Sequence, residues 1–291
     1  MSRKGSACGH QFHRDADQGC ELKHTKSRRA FLFVAMLLAG PCAHAEMSAE
    51  DLAKIAQNPI GNLISFPIQE NMNVNVGPLD GNQNVLNIQP VIPFSIGNDW
   101  NIITRTILPI ISQPAFAPGQ DRVSGIGDIQ VSAFLSPANP GNWIWGAGLV
   151  SQMPTHSNSL LGNDHAGIGP TFVLLHLEKG SPWVYGVLVN NIWSVGNSSS
   201  PSYSNGLLQP FVNFNLDSGA YFTTGPAITV NWQAAGSQQW TVPMGGGVGK
   251  LFKLGGKLPV NTQLAAYYNL VRPTYAGNWQ FRAQIQVLLP R

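Results

Sequence analysis

The C-terminal stretch GNWQFRAQIQVLLPR (277–291) decides the fold of this chain. From position 279 onward, alternate residues are apolar: Trp279, Phe281, Ala283, Ile285, Val287 and Leu289. The residues between them are polar and mostly glutamine: Gln280, Arg282, Gln284 and Gln286. A period of two indicates a β-strand with one apolar and one polar face. The fold therefore depends on whether the polar face contacts outside water or a lumen.

The same alternation recurs along the chain, so the fold class predicted is all-β with antiparallel strands. The sequence predicts twelve strands, at residues 62–76, 83–96, 100–113, 125–136, 142–153, 166–177, 182–195, 206–216, 220–232, 238–252, 258–271 and 278–289. Short turns after the even strands alternate with mostly longer loops after the odd ones. An even strand number with this arrangement is typical of a transmembrane β-barrel of the bacterial outer membrane, with short periplasmic turns and periplasmic termini.

In such a barrel, the apolar face of the last strand contacts lipid and its glutamine face lines the lumen. Closure requires this strand to pair with residues 62–76, because an open sheet edge in lipid leaves backbone groups unsatisfied. Strict alternation places Glu70 on the lipid face unless a nearby bulge turns it. Asp128 is the expected counter-charge of Arg105. The side chains expected to line the lumen are Arg105, Asp128, Arg282, Gln89, Asn213, Gln263 and Gln284.

The eight tryptophans lie near the ends of the predicted strands, four at each rim. Their amphipathic rings favour the two membrane interfaces, so they predict two aromatic girdles. The girdle residues are Trp100, Trp143, Trp183, Trp193, Trp232, Trp240 and Trp279, with Trp145 beside them. A soluble β-sandwich would instead place tryptophans mid-strand, in its core. Prolines inside the predicted strands, such as Pro90, Pro226 and Pro243, indicate bulges or breaks.

Residues 1–45 are predicted to be a secretory signal peptide with a long basic leader. The apolar run at 30–40 is too short to span a bilayer, which needs about 20 residues. A small-x-small cleavage motif ends at Ala45. Two alternatives remain open: a twin-arginine signal in SRRAFLF (27–33), and a lipoprotein signal at Cys42.

Removing the leader changes the chemistry that the chain offers. The whole chain has 17 Lys and Arg against 14 Asp and Glu, but the leader holds seven of the cations and three of the acids. No basic patch remains to bind nucleic acid. All three cysteines, Cys8, Cys20 and Cys42, also lie in the leader, which excludes disulfides and cysteine metal sites from the rest.

Residues 46–60 are predicted to form a short helix that Ser48 caps, with Glu50 and Asp51 in its first turn. The helix either plugs the lumen or lies in the periplasm. Residues 61–291 form the predicted barrel.

Three function classes fit such a barrel. A channel or transporter is favoured, because twelve strands lie between barrels that side chains fill and barrels that hold a wide aqueous pore. The few lumen charges favour a small neutral solute over an acidic sugar. A closed structural barrel, with the amides bonding one another, is the alternative. A lipid-modifying enzyme would need an activated serine and histidine; Ser151 and His165 could approach each other across neighbouring strands, but nothing in the local sequence marks either as activated. No catalytic residue, metal or cofactor is therefore predicted.

Several segments together resemble one bacterial family: NPIGNLISFPIQ, QNVLNIQPVIPFSI, DWNIITRTILPIISQP, GIGDIQVSAFLSP and YGVLVNNIWSV. They are similar to the outer-membrane putative transporters called meta-pathway of phenol degradation proteins, sometimes misnamed neuromedin U. The resemblance covers residues 58–291 and implies an outer-membrane barrel associated with aromatic degradation. The expected partners are outer-membrane lipid, a small solute that is aromatic or hydrophobic, and the barrel assembly machinery during biogenesis.

Overall fold

An antiparallel sheet closes into a twelve-stranded barrel in the computed structural model, which describes residues 48–196 and 201–289. The predicted signal peptide and its cleavage site lie outside the described residues. The strands are β1 (Ile64–Val76), β2 (Gly81–Ile88), β3 (Val91–Ile96), β4 (Trp100–Gln113), β5 (Val123–Ile126), β6 (Ile129–Pro137), β7 (Trp143–Met153), β8 (Gly167–Leu177), β9 (Trp183–Ser194), β10 (Ser204–Asn215), β11 (Ala220–Thr224), β12 (Ile228–Asn231), β13 (Trp240–Leu254), β14 (Leu258–Val271) and β15 (Trp279–Leu289). One α-helix, α1 (Ala49–Ala56), precedes them.

Three of the twelve barrel strands are split into two segments, which is why fifteen segments make twelve strands. β2 and β3 are separated at Gln89 and Pro90, and β11 and β12 at residues 225–227, which include Pro226. β5 and β6 are separated at Gly127 and Asp128. Proline lacks the ladder donor, so the breaks at Pro90 and Pro226 follow from the sequence.

The barrel closes through β1 and β15, as the sequence predicts. The two strands pair antiparallel from Ile64 opposite Leu289 to Val74 opposite Trp279. The ring is continuous on the far side of the barrel as well, because β9 also pairs with β10 and β13 with both β11 and β12. This closure and the twelve-strand count confirm the predicted fold class.

The two faces of the wall differ as expected for a transmembrane barrel. On β15, Phe281, Ile285 and Leu289 are exposed on the outer surface, whereas Arg282 and Gln286 are buried inside. The same apolar outer surface continues around the barrel. No helix among the described residues is long and apolar enough to cross a membrane.

The two ends of the barrel carry different connections. One end of the barrel, here called the short-turn end, carries the short turns 97–99, 138–142, 178–182, 216–219 and 255–257. The first and last described residues of the chain also lie at this end of the barrel. The opposite, long-loop end carries 114–122, 154–166, 195–196 with 201–203, 232–239 and 272–278, and one tight turn at 77–80. Trp100, Trp143, Trp145 and Trp183 lie at the short-turn end, and Trp193, Trp232, Trp240 and Trp279 at the other.

The interior is not amide-rich throughout, which corrects the lumen expected from the sequence. Near the short-turn end, one part of the inner wall is apolar and packs around Ile60, which is 3 % exposed. The wall residues in this cluster are Val91, Ile103, Phe134, Val173, Leu175, Val184 and Leu188. Strand β8, which contributes Val173 and Leu175, is apolar on both faces, so alternation cannot tell which face points inward.

Close strand packing in the wall predicts a position that tolerates no side chain. A Cβ atom on Gly169 would lie 1.6 Å from the backbone oxygen of Asn191 on β9. We therefore expect Gly169→Ala to destabilise the barrel by about 1–3 kcal/mol or more, through overpacking. The measurement is the urea concentration at the midpoint of unfolding. Unfolding is monitored by the difference in gel mobility between folded and heated protein.

The matched control is Gly141→Ala, because a Cβ on Gly141 meets no atom within 4 Å. Equal midpoints for the two variants would contradict the close approach of β8 and β9.

Candidate functional site

Helix α1 occupies the inside of the short-turn end. Its start is fixed by Ser48, whose Oγ accepts a hydrogen bond of 3.0 Å from the Asp51 backbone N–H. The buried face of the helix is formed by Leu52, Ala53 and Ala56. This face packs against the inner-wall residues Tyr221, Leu251 and Leu288. These wall residues alternate with Phe222, Phe252 and Leu289, which are exposed on the outer surface. The helix therefore lies within the barrel.

Polar contacts hold α1 in this position. Gln57, directly after the helix, donates from Nε2 to Oδ1 of Asn215 at 2.7 Å. Asn215 donates in return from Nδ2 to Oε1 of Gln57 at 3.1 Å. Lys54 is 2 % exposed, and its Nζ lies 2.5 Å from Oε1 of Glu50, so its buried charge has a partner.

A cavity of about 170 Å³ lies directly above this segment. Residues 56–59 form part of its lining. Six of the seven side chains expected in the lumen line this cavity: Gln89, Arg105, Asn213, Gln263, Arg282 and Gln284. Other polar wall residues are Gln69, Gln209, Thr223, Asn261 and Gln286. Val91, Leu188 and Phe211 add an apolar patch to the lining.

The two arginines of this cavity differ in how many partners they have. Arg282 donates from Nε to Oδ1 of Asn71 at 3.1 Å, from Nη1 to the Gly225 carbonyl at 3.2 Å and from Nη2 to Oε1 of Gln280 at 3.3 Å. Its Cζ also lies 5.0 Å from the centre of the Tyr267 ring. Arg105 donates from Nη2 to Oε1 of Gln89. Within the described structure, both guanidinium groups thus contact only neutral groups.

Asp128 lies elsewhere and is not the counter-charge of Arg105, which corrects the sequence prediction. It lies in the break between β5 and β6 and faces the 154–166 loop. The Oδ1 atom of Asp128 lies 2.8 Å from Nδ1 of His156, and its Oδ2 accepts from the Asn163 backbone at 2.6 Å and from Gln152 at 3.1 Å. The carboxylate thus fastens the loop to the wall.

Nearer the long-loop end, the inner wall is lined with amides that bond one another. Asn73 donates to Gln83 at 2.8 Å, Gln83 to Gln113 at 2.5 Å and Gln280 to Asn73 at 3.1 Å. Gln130 on β6 donates to Gln152 on the neighbouring strand β7 at 3.1 Å. Two further cavities, of about 370 and 550 Å³, lie among these residues, and neither lining includes a charged side chain.

Sequence reasoning missed residues that contact Arg282, and residues that line the cavity holding both arginines, here called the arginine cavity. Tyr267 could have been found, because it alternates with the outward-facing Tyr268 on β14. Asn71 also follows from the alternation on β1, because it lies two residues after Gln69 and therefore on the same face of the strand. No local signal indicates that residues 57–59 contribute, because their position depends on where α1 packs.

Glu70 remains on the outer face, since no bulge turns it inward. It lies opposite Ala283 on β15 and Leu86 on β2, and the register shift on β1 occurs later, between Asn73 and Val76. Its surroundings are the apolar outer residues Met72, Leu264 and Phe281.

Comparison with solved structures shows the fold. The outer membrane channel COG4313 from Pseudomonas putida F1 superposes with a TM-score of 0.60 at 17 % identity, over 80 % of this chain and 97 % of that one. The NanC porin superposes with a TM-score of 0.49 at 9 % identity, over 78 % of this chain and 100 % of that one. Outer membrane phospholipase A from Escherichia coli superposes with a TM-score of 0.43 at 13 % identity, over 84 % of this chain and 99 % of that one. No family model and no curated protein matches the sequence. The phenol-degradation family therefore stays a prediction.

The fastening of the 154–166 loop gives a second prediction. Replacing Asp128 with alanine removes the acceptor of several buried hydrogen bonds, at a cost of about 1–3 kcal/mol. We expect Asp128→Ala to unfold at lower urea concentration and to be cleaved by chymotrypsin at Leu160 or Leu161. Limited proteolysis with mass spectrometry measures the cleavage.

Asp121→Ala in the exposed 114–122 loop is the matched control and should behave as the unmodified protein. A loop that resists cleavage in Asp128→Ala would show that Asp128 does not hold it.

Proposed function

We propose that this protein is a channel for small solutes in the bacterial outer membrane, closed at the short-turn end by α1. The observation that carries the proposal is the position of α1, inside a barrel whose interior holds polar-lined cavities. Helix α1 is held in the short-turn end by one apolar face and by the amide pair of Gln57 and Asn215, which are few contacts. Its displacement would connect the arginine cavity with the periplasm.

The lining supports a small solute. The amides can donate to and accept from neutral polar groups, while Val91, Leu188 and Phe211 offer an apolar surface to an aromatic or aliphatic portion. The few lumen charges in the sequence favour a small neutral solute. The family resemblance further implies that this solute is aromatic or hydrophobic. We also propose that Arg105 and Arg282 line the lumen of this channel. The two tryptophan girdles would lie at the two interfaces of the membrane. Outer-membrane lipid and the barrel assembly machinery are the proposed partners.

A closed structural barrel is the second candidate, and the bonded amides near the long-loop end favour it. In that case α1 would be a fixed part of the interior. No specific observation favours an enzyme: the His156 ring lies 2.8 Å from Asp128 and 3.6 Å from Asp164, in the contact that holds the 154–166 loop. His176 stacks on Tyr185 in an aromatic cluster with Trp143.

Locking α1 in place separates the channel from the structural barrel. We replace Gln57 and Asn215 with cysteine, in a background where Cys8, Cys20 and Cys42 are serine. Linking the two thiols with a short, reducible bifunctional reagent should abolish most single-channel conductance in planar bilayers, and reduction should restore it. The expected cause is that the linked segment can no longer leave the lumen.

The control is the Gln57→Cys single variant with the same reagent, which should conduct before and after treatment. If the reduced double variant and the unmodified protein never conduct, the structural barrel is correct. If conductance is the same in the linked and reduced forms, α1 is not the gate.

A further inference from the structure

We infer that the cavity above α1 binds the carboxylate of a small organic anion, with Arg105 as its main contact and Arg282 beside it. The inference deepens the proposed function, since such an anion would be the solute. It replaces the neutral solute that the sequence favours.

The first argument is the charge of the cavity. Its lining includes two guanidinium groups and no aspartate or glutamate. The ion pairs found among residues 48–196 and 201–289 involve Lys54 and His156, and neither arginine takes part in one. Two buried cations without a counter-charge are unfavourable in a low-dielectric interior, so an anion that enters would be attracted strongly.

The acidic residues of the neighbouring segments pair with other groups or face the outer surface. Glu50 is paired with Lys54 on α1, and Glu70 faces outward from β1. Asp128 accepts from His156, Asn163 and Gln152 near the long-loop end. The described part of the chain therefore supplies no carboxylate to the arginine cavity, so an anion that enters the cavity would be the counter-charge of the two arginines.

The second argument is the donor inventory. A guanidinium has five N–H donors in a planar fork that matches a carboxylate. Arg282 directs three of its nitrogens at protein acceptors, which fixes its orientation. Arg105 has one acceptor in the described structure, Gln89, and the rest of its fork borders the cavity. Arg105 is thus the group with donors available to an entering carboxylate.

The third argument concerns the rest of the ligand. The same lining includes Val91, Leu188 and Phe211, whose apolar surface would contact the body of an anion whose carboxylate meets Arg105. A volume of about 170 Å³ limits that body to a small one. The chemical class is therefore a small carboxylate with an apolar or aromatic body.

Three probes with one ring and different charge test this inference: benzoate, benzyl alcohol and benzylamine. Binding to the folded full chain in detergent is measured by isothermal titration calorimetry at fixed ionic strength. We expect benzoate to bind at least about tenfold more tightly than benzyl alcohol, because one charge-assisted hydrogen bond contributes about that factor. Benzylamine should bind most weakly. Equal affinities for the three probes would overturn the inference.

Variants identify the contact. Arg105→Gln should weaken benzoate binding by about tenfold or more and leave benzyl alcohol unchanged, because only the charged contact is lost. Arg105→Lys should lose less, since it keeps the charge without the fork. Arg122→Gln is the matched control: Arg122 lies in the 114–122 loop, donates to the backbone carbonyls of Asn82 and Ser112, and lies outside the cavity. Unchanged benzoate affinity in folded Arg105→Lys and Arg105→Gln would overturn the assignment.

Conductance separates this inference from the proposed function. The reversal potential across a potassium chloride gradient should indicate anion preference, which Arg105→Gln should reduce and Arg122→Gln should not. A pore that conducts without anion preference and does not bind benzoate would refute the anion site and leave the channel standing. Arginine-dependent benzoate binding without any conductance would support the anion site and refute the channel.

Discussion

The hydrogen-bond ladder between β1 and β15 is the constraint on which the rest of the structure depends. In lipid there is no water to satisfy an open sheet edge, and each unsatisfied backbone group costs several kcal/mol. Pairing from Ile64 opposite Leu289 to Val74 opposite Trp279 removes both edges at once. Closure also separates the interior from lipid, so polar side chains can be buried there while apolar ones cover the outside.

The enclosed interior explains why amides and two arginines without a carboxylate partner occur where they do. Amide side chains both donate and accept, so Asn73, Gln83 and Gln113 can satisfy one another without the desolvation cost of charges. The arginine cavity departs from this pattern, because its two charges meet only neutral partners. Helix α1 closes the cavity on one side, so the site with the most unusual electrostatics is also the one next to the proposed gate.

The sequence could predict the fold because alternation is a local property of each strand and closure follows from the lipid environment. Pro90 and Pro226 even mark two of the three breaks. The third break, at Gly127 and Asp128, has no such signal. Asp128 is out of reach of Arg105 because Arg105 lies opposite Ser132 on β6, four residues further along the strand. The apolar part of the inner wall on β8 was also missed, since both faces of that strand are apolar. The position of α1 depends on packing between residues distant in sequence, such as Leu52 and Leu288.

The most direct test of the account is the environment of consecutive positions on β15 in lipid bilayers. Spin labels at Phe281, Ala283 and Ile285 should collide mainly with oxygen, which dissolves in lipid. Labels at Gln280 and Gln284 should instead be shielded from lipid and more accessible to a water-soluble nickel chelate. This alternation with a period of two is the predicted result. Uniform access of the nickel chelate to all five positions would show that β15 does not separate a lipid face from a lumen, and would contradict the barrel account.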